Sequence, residues 1–143
     1  FQKGIETSQH LLGHGARTVD GGLRHLKLPF MTTHAGDVLR HGVELATRTY
    51  RTFLEKLGLT NQQIDKVICH QVGSSNREMI LRSLGIENAK DFSTFEYLGD
   101  IGTVSLPLTA ALAEEREFLE PGDKVGFLGI GSGLNCMMLG LEW

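Results

Sequence analysis

The sequence has 143 residues, 41% apolar and 22% charged, with a formal net charge of −3 at pH 7. That length holds one domain with a real core, and the slightly acidic balance gives no electrostatic footing for nucleic acid or an anionic membrane. No apolar run reaches the roughly 18 residues that cross a bilayer, no signal-peptide pattern opens the chain, and the two cysteines, Cys69 and Cys136, make no disulfide framework, so a reducing cytoplasm is the expected compartment.

In chain order, residues 1–22 show no sustained period and read as a short strand or turn followed by loop. The chain opens at Phe1, which leaves a processed product and a piece of something longer both open. "LRHLKLPFM" reads as extended, since Pro29 opposes a helix interior. From about Asp37 to Leu57, apolar residues including Leu39, Val43, Ala46, Tyr50 and Phe53 recur at three- and four-residue steps and predict an amphipathic helix. Glu44–Arg48 and Arg51–Glu55 are opposite charges four apart on its outer face, and Gly58 is the expected stop. "TNQQ" (Thr60 to Gln63) suits the cap of one short turn.

"KVICHQ" predicts a buried strand. "SNRE" (Ser75 to Glu78) has the pattern of a capping box, and "MILRSL" carries a helix to Gly85. "FSTFEYL" is rich in β-favouring residues and predicts a strand. A helix is expected from about Ser105 through "LTAALAEEREF", with Pro107 tolerated in its first turn. "EPGD" is a turn, "KVGFLGI" an apolar strand, "GSG" a tight turn and "LNCMMLGLEW" a final strand. Such alternation of helix and strand implies an α/β fold with a mainly parallel sheet. The last two strands, joined by a tight turn, are expected to be antiparallel.

Few residues carry chemistry on pattern alone. "GIGSG" (Gly129 to Gly133) follows an apolar strand, but Leu134 takes the last glycine position of a dinucleotide loop and a strand follows instead of a helix. A glycine hairpin that lets backbone N–H groups approach a ligand stays open beside a plain turn. His10 and His14 lie four apart among helix-weakening glycines and read as surface histidines; His25, His34 and His41 show no partner pattern, so no metal or resident cofactor is expected. Cys69 and His70 are strand neighbours that point to opposite faces, which makes them a poor nucleophile–base pair, and both cysteines read as packed residues. His70 stands at a strand's C-terminal end, where α/β sheets gather their ligands. Asp100 follows in a small-residue turn thirty positions on. On pattern alone a structural histidine and a turn aspartate suffice to explain the two.

"HQVG", then "YLGDIGTVSLP", then "LEPGDKVGFLGIGSGLNCMMLGLEW" resemble, in order and separation, the motifs of the C-terminal half of β-ketoacyl-acyl carrier protein synthase III and its thiolase-superfamily relatives. There the family shows H-Q-A-N, Y-G-N-T-S-A-A-S-x-P and K-P-G-D before an apolar strand, a glycine loop and a last strand. The resemblance implies a thiolase-like half: a five-stranded mixed sheet with helices on both faces. Residues 34–143 are expected to form it, with 1–33 a loosely matching lead-in to the same domain. It also implies an absent N-terminal half that holds the nucleophilic cysteine, an inactive isolated chain, a homodimer of the full enzyme, and acyl-CoA or acyl carrier protein thioesters as substrates.

By the same resemblance His70 is the histidine that donates to the oxygen of a thioester enolate, and backbone N–H groups of Gly131, Ser132 and Gly133 belong to an oxyanion hole. The family's asparagine falls on Asp100, and an ionised carboxylate has no proton to donate. Two unit charges about 4 Å apart at an effective dielectric of about 20 repel by roughly 4 kcal/mol. An ionised Asp100 facing the enolate therefore opposes the family reaction. Three arrangements relieve the conflict: a protonated Asp100, a carboxylate turned toward His70 to make a Cys–His–Asp set for transfer to a hydroxyl, amine or thiol, or different chemistry. Gly73 also stands where the family has asparagine, which puts one pantetheine contact in doubt. Condensation of an acyl thioester with a malonyl- or acyl-thioester is the leading reading. Heteroatom transfer, a non-catalytic scaffold half and a generic α/β binding module are the alternatives.

Overall fold

The computed structural model describes residues 34–131 and 134–143. Expectations for residues 1–33, His10, His14 and His25 among them, and for Ser132 and Gly133 lie outside the described residues.

Helix α1 spans Ala35–Leu57 and ends on Gly58 at φ 65°, whose N–H reaches back to the last turn. Its apolar stripe buries Ala46, Tyr50 and Phe53. The expected pairs Glu44–Arg48 and Arg51–Glu55 do not close; the ion pairs among the described residues are Asp37–Arg40 and Arg77–Asp91. Exposed pairs gain too little to fix two long side chains. The short turn at Asn61–Gln63 forms as expected, with Gln63 Oε1 accepting the Thr60 N–H at 2.8 Å. Asn61 then fastens three elements, accepting from Tyr50 Oη at 2.7 Å and donating to the Gly85 carbonyl at 2.7 Å.

Strand β1 (Lys66–Cys69) leads to helix α2 (Ser74–Leu84), which stops on Gly85 at φ 67°. The capping box expected at Ser75 does not form: the helix starts one residue earlier, with Gly73 at the cap position and no side-chain cap bond. The Gly73 carbonyl accepts the Arg77 N–H at 2.9 Å, which places Ser75 inside the first turn.

The strand expected over "FSTFEYL" is replaced. Asp91 makes a single parallel bridge to Val67, and the chain then turns into a short helix α3, Phe95–Leu98. The β propensity of Phe and Tyr is overridden by what this segment touches. Thr94 is fully buried, and the Arg116 guanidinium lies 5.8 Å from the Phe92 ring and 5.1 Å from that of Tyr97. Helix α4 (Ser105–Glu115) carries Pro107 in its first turn, where no N–H is needed.

Strands β2 (Lys124–Gly131) and β3 (Asn135–Glu142) close the fold. β1 pairs parallel with β2, and β2 pairs antiparallel with β3, as expected for the last two strands. The sheet therefore has three strands among the described residues, in the order β1-β2-β3, and not the expected five. Alternation along β1 serves two cores. Val67 and Cys69 pack with Tyr50, Phe53, Leu81 and Leu128 under α1 and α2. Ile68 packs with Val125, Ala110, Ala113 and Leu119 under α4. Helices thus cover both faces of β1 and β2. Over β3 the α4-side face stays bare: Met137, Leu139 and Leu141 are 79%, 55% and 38% exposed. No helix among the described residues is long and apolar enough to cross a membrane.

Candidate active site

Because β1 and β2 are parallel, their C-terminal ends share one rim. The ladder runs one residue past β1, the His70 N–H bonding the Leu128 carbonyl at 2.9 Å. This sets His70 beside Gly129, the first residue of the glycine hairpin. A Cβ on Gly129 would lie 3.3 Å from Leu106 Cδ1 and 3.2 Å from the Met137 carbonyl. A side chain there would push Leu106 and the hairpin backbone apart by a few tenths of an ångström, so glycine suits the close approach of α4 to the hairpin. His70 is half-buried at this rim, and Gly131 is exposed.

Asp100 lies in the loop between α3 and α4. Gly99 precedes it at φ 67°, ψ −155°, a backbone state kept for glycine. Asp100 is exposed, and its Oδ1 accepts the Gly102 N–H at 2.9 Å. Among the described residues no hydrogen bond or ion pair joins it to His70; the carboxylate is turned onto its own backbone.

The loop that bears Asp100 is nevertheless tied to the His70 strand at both ends. Gln71, buried at 5% exposure, donates from Nε2 to Thr94 Oγ1 at 2.7 Å and to Thr109 Oγ1 at 3.0 Å. Its Oε1 accepts the Thr94 N–H at 2.6 Å and the Ser93 hydroxyl at 3.1 Å. Thr94 lies before α3 and Thr109 in the second turn of α4, so Asp100 sits between the two anchors. Pattern reasoning on "HQVG" singles out the histidine and gives Gln71, which the motif H-Q-A-N shares, no fastening role. The one available signal was a polar side chain continuing an otherwise apolar strand.

A second buried polar group lies below the rim. Arg77 donates from Nε to Asp91 Oδ2 and from Nη2 to the Asp91 carbonyl. Burial pushes the Asp91 carboxyl above its ordinary range, with the Arg77 hydrogen bond and charge opposing. Cys69 lies beside this carboxylate, and its thiol is pushed well above the usual range, by burial first and then by Asp91. Cys136 is pushed up by burial too, against a hydrogen bond with Thr49. Neither thiol has the lowered value of a nucleophile.

The family described as 3-oxoacyl-[acyl-carrier-protein] synthase III C terminal matches residues 54–143. Among curated proteins, the chain is 57% identical over 114 residues to an acyl-CoA:acyl-CoA alkyltransferase of Shewanella oneidensis, a match covering 80% of the chain and 33% of the relative. It is 28% identical over 125 residues to a β-ketoacyl-[acyl-carrier-protein] synthase III of a Ruegeria species, covering 87% of the chain and 39% of the relative. Among solved structures, the synthase III FabH of Xanthomonas oryzae superposes with TM-score 0.76 at 34% identity, over 79% of this chain and 33% of that one. A cysteine-to-serine variant of Xanthomonas campestris OleA with bound lauric acid and lauroyl-CoA gives 0.79 at 30% identity, over 97% and 37%. The chain spans about a third of the length of the curated relatives it matches, 33% and 39% for these two.

Proposed function

We propose a function from one premise: the chain belongs to the 3-oxoacyl-[acyl-carrier-protein] synthase III C-terminal family, condensing enzymes of the thiolase superfamily. Our reading is that it supplies the histidine and backbone side of a site that joins an acyl thioester to a second, malonyl- or acyl-, thioester. The nucleophilic cysteine belongs to an N-terminal half beyond these 143 residues. First the acyl group passes to that cysteine and the carrier thiol leaves. The enolate of the second thioester, formed by loss of CO2 or of an α-proton, then attacks the acyl carbonyl. A carbon–carbon bond forms, the carbon–sulfur bond breaks, and the thiolate leaves.

The observation that carries this reading is His70 at the end of β1, bonded through its backbone to Leu128 and so level with the glycine hairpin. An imidazole N–H there donates to the enolate oxygen, and backbone N–H groups of Gly131, Ser132 and Gly133 receive the acyl oxyanion. Two further observations favour a second half. Both cysteines have raised thiols, so the chain alone lacks an activated nucleophile and is expected to be inactive. Met137, Leu139 and Leu141 form an apolar stripe of the kind a packed neighbour covers. The name of the Shewanella relative, an acyl-CoA:acyl-CoA alkyltransferase, favours acyl-CoA as both donor and acceptor. The complete enzyme is read as a cytoplasmic homodimer.

Asp100 decides between this reading and its rival. A carboxylate that accepts the Gly102 N–H and lies in solvent leaves condensation feasible. Water around an exposed carboxylate screens the repulsion to well below the roughly 4 kcal/mol of a partly buried pair. The rival is a Cys–His–Asp set for transfer to a hydroxyl, amine or thiol, and the specific observation in its favour is the carboxylate itself. In the complete enzyme, Asp100→Asn should raise the rate of β-keto product formation about tenfold, since it removes the negative charge and leaves an amide whose N–H donates to the enolate once the side chain turns from Gly102 toward the substrate. Steady-state product analysis by mass spectrometry checks this. A fall in acyl transfer to a hydroxyl or amine acceptor, with no β-keto product from either form, would favour the rival.

A further inference from the structure

We infer that Gln71 is a positioning residue for the condensation step: with Thr94 and Thr109 it forms a buried clamp that sets the Asp100 loop against the His70 rim. The inference rests on the condensing reading above.

The argument begins with proton accounting. A glutamine amide offers two N–H donors and an oxygen with two acceptor sites. Here all four are used: Nε2 donates to the Thr94 and Thr109 hydroxyls, and Oε1 accepts from the Thr94 N–H and the Ser93 hydroxyl. The amide cannot be turned over. Its Oε1 faces a backbone N–H, which only donates, and a flip would set donor against donor. The Thr94 and Thr109 hydroxyls also touch each other at 2.8 Å, so three side chains close a triangle. Thr94, Thr109 and Gln71 are 0%, 0% and 5% exposed, where water cannot replace a missing partner and an unmade bond carries its full desolvation penalty.

The location gives this cluster its purpose. Gln71 follows His70 directly in sequence. Thr94 and Thr109 bracket the segment holding Asp100, including its Gly99 and Gly102 turns, both at φ 67°. The clamp fixes the chain on either side of these two turns. Replacing the whole triangle by apolar groups of the same shape would be close to neutral for stability, whereas removing one member leaves its partners unpaired. The polar triangle ties a single residue beside the histidine to both ends of the segment that carries Asp100.

The test uses the complete enzyme and two readouts, acyl-cysteine formed in one turnover and condensation product per unit time. Thr109→Val keeps the shape and removes one acceptor of the clamp; Thr109→Ser restores the hydroxyl. For Thr109→Val we expect acyl-cysteine at the wild-type extent, product formation down about tenfold to a hundredfold, and recovery to within a few-fold in Thr109→Ser. Gln71→Leu should show the same split more strongly. Should Gln71→Leu fail to fold, the valine and serine pair alone decides. Unchanged product formation in Thr109→Val, or equal loss of acylation and product in step with the folded fraction, would overturn the clamp and leave the condensing reading standing. A wild-type enzyme that forms no acyl-cysteine from acyl thioesters would overturn the condensing reading and the clamp's role with it.

Discussion

Replacing His70 by alanine in the complete enzyme should cut carbon–carbon bond formation by about 10²–10³-fold while acyl-cysteine still forms, because removing one preorganised donor from a developing oxyanion costs that much. The variant separates chemistry from folding. The contact that His70 makes to the sheet is its backbone N–H to Leu128, at 2.9 Å, and alanine retains it. The ring is half-buried and lies outside both apolar cores, so the unfolding midpoint should move little. Rapid-quench mass spectrometry of the acyl-enzyme, alongside product formation, makes the measurement. An acyl-enzyme that accumulates and turns over slowly fits a donor acting in the second step. Parallel loss of both steps in a folded variant would show that His70 acts on the cysteine first, and the enolate role would fall.

The sequence was most legible where local and tertiary preferences agree. The stripe along α1, its stop at Gly58 and the end of α2 at Gly85 appear where periodicity and glycine placed them. The β2–β3 hairpin pairs antiparallel through all eight positions. The clearest failure comes from partners distant in sequence. "FSTFEYL" has strand composition, but Thr94 is claimed by Gln71, 23 positions back in the chain, and Arg116 stacks over Phe92 and Tyr97. No window centred on the segment contains those residues. "SNRE" has the letters of a capping box, yet α2 starts one residue before Ser75 and needs no side-chain cap. For the site, residue types showed that His70 and Asp100 deserved comparison. They did not show that the Asp100 carboxylate turns onto Gly102, because that orientation depends on the backbone state of Gly99, which the letter G permits but does not specify.

The largest stability effect should come from Arg77. Its partner Asp91 has a side chain 1% exposed, against 25% for Arg77 itself, so Arg77→Leu leaves a carboxylate in the core without its counter-charge. Breaking a buried pair from one side costs about 3–5 kcal/mol, and urea unfolding at pH 7 should show a loss of that order. The pH dependence follows from the direction of the Asp91 shift. Burial outweighs Arg77 and raises its folded pKa, so the folded state holds the proton more tightly than the unfolded chain, whose aspartates titrate near 3.9. The contribution of this group is therefore full below the unfolded value and is lost as pH rises through the raised folded one. Removing Arg77 takes away the opposing charge and moves the folded value higher, which extends that window upward. The variant should then lose more stability than the wild type as pH rises above the unfolded value, and adding Asp91→Asn should flatten the difference and recover much of the loss. A loss below about 1 kcal/mol, the range of an exposed pair, or one that does not change with pH, would contradict a buried charge pair. Asp91 lies three residues before Thr94, and Arg77 is on the helix that follows the His70 rim. The same pair thus holds the base of the segment that the Gln71 clamp grips at its top. Loss of Arg77 should weaken condensation only to the extent that it unfolds the chain, whereas loss of the clamp should weaken it in enzyme that stays folded.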